Sequence, residues 1–186
     1  MSEKYSCQEF ADILAEHVLR QIKENRNGAP NPVFRRFAQS VKADADAETI
    51  DNEILFLLGF CYSQICAFHI DDQSYLDKLI LRFYYSLVSQ RSSEPSIFGA
   101  IAISRYEGYL EPYALDQKRM VQRPKGMIPW RFMLSQFGKN LRSDFDFETD
   151  HSDFVPASIG LGEYIAANME FMEKVLDKLE FGKGIS

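Results

Sequence analysis

The stretch ILFLLGFCYSQICAFHI, residues 54–70, runs for 17 positions without an Asp, Glu, Lys or Arg. A helix with apolar side chains on every side suits either a bilayer or the centre of a helical bundle. A bilayer needs about 20 apolar residues. The stretch also contains Ser63, Gln64 and His69, and it is flanked by Asp51, Glu53, Asp71 and Asp72, where a membrane anchor is basic. The reading is a helix over about 49–70, buried at the hub of a bundle, with no membrane as partner.

Toward the N-terminus, the neighbours of this hub carry helix signals of their own. Asn31-Pro32 looks like a cap followed by a first-turn proline, and Phe34, Phe37, Ala38 and Val41 give the next helix an apolar face. Residues 43–47 form a small, acidic connector. Ser6-x-x-Glu9 has the spacing of a capping box, and Phe10, Ile13, Leu14, Val18 and Ile22 follow at helical period, with a stop expected near Gly28.

Toward the C-terminus, a helix from Ser74 places Leu76, Leu79, Ile80, Phe83 and Leu87 on one face. Pro95 opens a further helix. Pro112 is expected to begin another that ends at Arg123-Pro124-Lys125-Gly126, and Pro129 to restart one through about Leu141. Residues 143–158 show no helical period and are expected to be a loop. A last helix over 162–179 sets Ile165, Met169, Met172, Leu176 and Leu179 at spacings of four and three. That stripe packs on the bundle or, as an alternative, on a second copy in a homodimer. The fold class is therefore all-α: one irregular bundle of about seven helices, a single domain over 1–186.

Composition limits the function. The net charge of −6 and sequence pI near 5.1 argue against a nucleic-acid partner, since phosphate backbones need a basic footprint. Cys7, Cys61 and Cys66 are too few and odd in number for a secreted disulfide framework, and a basic-then-apolar leader is missing from the polar N-terminus. Cytoplasm is the expected compartment.

Candidate chemistry is sparse. His17, His69 and His151 fit no metal-ligand spacing, so no cofactor is expected. Glu9-x-x-Asp12 and Glu170-x-x-Glu173 are acids one turn apart, the arrangement with which helical phosphohydrolases hold magnesium. They also fit plain solvated helix surface. Ser158-Ile-Gly-Leu-Gly162 lacks a nucleophile elbow and reads as a turn before the last helix. Tyr106, Tyr109 and Tyr113 form a ridge that suits a binding surface or a core edge.

Charge polarity stands out more. Residues 117–143 hold seven basic side chains and no acid, and residues 144–153 hold five acids and no Lys or Arg. Aromatic residues interleave with both. Arg123, Trp130, Arg131, Arg142, Phe145, Asp146, Phe147 and Glu148 are the expected contact residues of a non-catalytic protein-binding module: an adaptor, inhibitor or regulatory subunit. The other reading of the same pattern is internal, with the acidic loop folded back on the basic helix. The alternative functions are a magnesium-dependent all-α phosphohydrolase using the two acid pairs, or a small-molecule-binding protein.

Overall fold

A computed structural model describes residues 5–22, 31–91, 95–122, 130–147 and 151–177 of the chain. They form seven helices: α1 (Cys7–Ile22), α2 (Pro32–Ser40), α3 (Ala47–His69), α4 (Gln73–Arg91), α5 (Pro95–Gln122), α6 (Arg131–Leu141) and α7 (His151–Leu176). No strand occurs among the described residues. The fold is all-α, and α3 is its hub. Every residue from 53 to 63 is buried, and α3 packs on α1, α4, α5, α6 and α7. None of the described helices is long and apolar enough to cross a membrane.

Local chemistry starts the early helices as their sequences predict. The Ser6 hydroxyl accepts from the Glu9 amide at 3.2 Å while the Glu9 carboxylate accepts from the Ser6 amide at 2.8 Å, completing the capping box. Asn31 caps α2 by accepting from the Val33 amide at 3.1 Å, with Pro32 in the first turn. Asp46 caps α3 by accepting from Thr49 at 2.8 Å, which places the helix start slightly ahead of Thr49.

Two expectations are corrected. Pro112 begins no helix but lies inside α5, which runs unbroken from Pro95 to Gln122. Its missing N–H and the bulk of its ring fall on the turn of Gly108, an exposed residue with open space around it, which lowers the steric cost of an interior proline. Second, the last helix begins at His151, not near Gly162, so much of the expected loop and the whole of the Ser158–Gly162 segment are helical. Phe154, Ser158, Leu161 and Ile165 are buried in succession and continue the stripe backwards through Pro156. The stripe of Ile165, Met169, Met172 and Leu176 takes the first of the two placements expected for it: all four residues are buried within the molecule, where α7 lies on α2 and α3. Gly28, the 123–126 stop and Leu179 lie outside the described residues.

A loop does occupy 142–147, and its alternation is one of faces: Asp144 and Asp146 point to solvent, Phe145 and Phe147 inward. The two rings meet Phe154 edge-on at centroid distances of 5.0 and 4.5 Å. Phe154 in turn meets Phe37 of α2, which packs on Phe137 of α6. This aromatic layer joins α2, α6 and α7. Its edge-to-face contacts add about 0.5–1.5 kcal/mol each to ordinary burial.

Candidate functional site

The residues expected to face a partner are largely interior. Trp130 is 4% exposed, and Phe145 and Phe147 are equally buried. The Arg131 guanidinium lies 4.9 Å from the Phe147 ring centre and that of Arg142 5.5 Å from Phe145, while Arg142 Nε is 3.1 Å from Asp144. Part of the charge polarity is thus engaged within the chain: Arg142 pairs with Asp144 two residues on, and Arg131 lies on a ring of the loop. Burial explains the correction: a phenylalanine flanked by acids reads as an interface anchor, but here the acids mark the solvent face of a strap whose rings fill the core. Asp146 is exposed; Arg123 and Glu148 lie outside the described residues.

The two acid pairs are not brought together. Asp12 accepts from Ser86 of α4 at 2.5 Å and from Gln8, and Glu9 is engaged in the capping box. Both carboxyls are thereby held below their ordinary range. Glu170 pairs with Lys174 at 2.6 Å along α7. Among the described residues, no group of three or more His, Cys, Asp or Glu side chains is arranged to hold a metal. The Tyr106, Tyr109 and Tyr113 ridge is a core edge: all three rings surround Phe60 of α3 at 5.2–5.6 Å.

Glu170 and Glu173 instead border a groove of about 390 Å³, lined by Gln64, Ile65 and Phe68 of α3, Tyr113 and Gln117 of α5, Trp130, and Ala166, Met169, Glu170 and Glu173 of α7. It exists because the polar end of the apolar helix comes to the surface there. Phe68, one turn after Gln64, is 80% exposed. Trp130 is the N-cap of α6 with φ 56°, and this left-handed turn sets its ring parallel to Tyr113, with centroids 5.7 Å apart and 4° between planes.

Electrostatically the groove is acidic. Among the described residues no Lys or Arg lines it, and Glu173 has no ion-pair partner. Burial raises the Tyr113 hydroxyl's pKa, with nearby Glu173 adding to the shift and a hydrogen bond with Gln117 opposing it. The Trp130 indole N–H is buried without an acceptor among the described residues. Gln64 donates to the Tyr106 hydroxyl at 3.0 Å. Among the described residues the lining contains no Ser, Cys or His. Such a surface can bind; it carries no nucleophile–base pair. A larger depression of about 480 Å³ between α2 and α3, with Arg35, Lys42 and Asp51 on it, contains no unpartnered buried polar group among the described residues.

Sequence reasoning missed Phe68 and the groove, although it flagged Glu170 and Glu173 for other chemistry. It also missed two buried acids. Glu53, 3% exposed, accepts from Arg105 Nε at 2.8 and 2.9 Å and from Nη2 at 2.7 Å, tying α3 to α5. Asp116 of α5, 2% exposed, accepts from the Phe132 and Met133 amides at 3.1 and 2.9 Å and so caps α6 from another helix. Compared with protein-family models, with curated proteins and with solved structures, the chain has no significant match to any of the three.

Proposed function

We propose that the protein is a non-catalytic protein-binding module, an adaptor, inhibitor or regulatory subunit, with the groove between α3, α5 and α7 as its contact face. The observation that carries this reading is Phe68, a phenylalanine 80% exposed at the lip of a groove with aromatic walls. A large apolar side chain held in water beside such a groove is the composition of an interface anchor. Trp130 and Gln117, from the basic stretch, form part of this face; Phe145 and Phe147 belong to the aromatic layer around Phe154. We place the protein in the cytoplasm: its three cysteines are free thiols, and burial pushes Cys61 and Cys66 up to about 12, leaving them inert.

The test is affinity purification from the native host with wild type and Phe68→Asp, a change at the surface that leaves the core intact. A co-purifying protein that is depleted about tenfold or more by the substitution is expected, the loss typical of an anchor residue. Equal recovery with both would remove the groove from the proposal, and no co-purifying protein with either would remove the module.

A further inference from the structure

Resting on that reading, we infer that the groove recognises a peptide segment of its partner carrying a lysine or arginine next to an apolar residue. Three independent features of the groove ask for the parts of such a segment. First, Glu173 is exposed at the rim without a cationic partner among the described residues, whereas Glu170 one turn earlier is already paired with Lys174. A basic side chain laid along the groove completes the second pair, and its aliphatic stem covers apolar wall as it does so.

Second, Trp130 lines the groove while only 4% exposed, and its indole N–H has no acceptor among the described residues. A buried donor left unpaired costs about 1–3 kcal/mol. A ligand that brings a carbonyl relieves it. Third, Gln64 uses its amide N–H on Tyr106, which leaves its carbonyl to accept, so donor and acceptor stand in one groove. A peptide backbone supplies the matching acceptor and donor together, and Ile65, Met169 and Phe68 provide the apolar wall for the neighbouring side chain. A free metal cation would leave the Trp130 indole N–H and the apolar wall unused, and an anionic ligand meets Glu170 and Glu173.

The experiment is selection of a phage-displayed library of random dodecapeptides on the purified full chain. Enriched peptides are expected to share a Lys or Arg beside an apolar residue. A synthetic copy of the best one should bind at least about tenfold more weakly to Glu173→Lys and to Phe68→Ala, and exchanging its basic residue for Glu should restore binding to Glu173→Lys. Both substitutions lie on exposed positions, so folding is checked directly by circular dichroism. Enriched peptides without Lys or Arg that are lost on Phe68→Ala would overturn the basic specificity and leave the binding module standing. Basic peptides indifferent to both substitutions would overturn the assignment to this groove. No enrichment at all would overturn the peptide ligand and the module alike.

Discussion

At Gly138 of α6 a Cβ would stand 2.4 Å from two carbons of the Phe145 ring. The glycine is required by this approach alone: the strap ring lies directly on the helix backbone. Gly138→Ala is expected to displace the ring and lower unfolding stability by about 1–3 kcal/mol, the usual range for overpacking a core. A urea midpoint unchanged from wild type would show that the ring has room to yield. Glu53 makes the opposite demand, for a partner. Arg105→Ala leaves its carboxylate buried with nothing to hold it and should lower stability by about 3 kcal/mol, while the double change Glu53→Leu with Arg105→Met should cost much less. The comparison by chemical denaturation separates the harm of an orphaned charge from the worth of the pair.

For α6, the instructive fact is that its own N-cap residue, Trp130, offers no side-chain acceptor, and Asp116 supplies one from α5. Asp116→Ala strands two buried amides, and a loss of about 1–3 kcal/mol is expected in thermal or urea unfolding, with Asp116→Asn, which keeps one acceptor, nearer to wild type. The caps of α1 and α2 could be read from the chain because acceptor and amide lie within three residues, whereas Asp46, the cap of α3, fell in the stretch read as a connector. The cap of α6 could not, since Asp116 and Met133 are far apart in sequence. The hub was legible for a similar reason: all-round apolarity over 54–70 needs no knowledge of its neighbours. Helix α7 was misread at its start because Pro156, Gly160 and Gly162 are local break signals, and burial of Phe154, Ser158 and Leu161 against other elements overrides them. The groove was illegible because it joins side chains of three helices, and Glu170, Glu173, Tyr113 and Trp130 were each marked separately and never as one surface.

Taken whole, the bundle is closed by α7 lying on α2 and α3, with His17 of α1 stacked on Phe171 at 5.5 Å and close to Tyr62 of α3. Burial, and then the nearby Arg20, hold the His17 imidazole below its usual range. The folded state therefore favours the neutral ring. The stability tied to it is complete above the unfolded value of about 6.5 and is lost as pH falls through the lower folded value. Urea midpoints measured from pH 7.5 down to 5 should decline, and His17→Phe should flatten that decline; a parallel slope in the variant would assign the effect to other groups. Tyr164 of α7 fastens the same closure, accepting from Asn31 at 2.9 Å and donating to Gln21 of α1. Of the seven helices, α7 is the last to leave the ribosome. Until it does, the seats of Phe34, Phe37 and the flank of α3 stand open, so the nascent chain emerges with greasy faces bare, the kind of surface that invites aggregation.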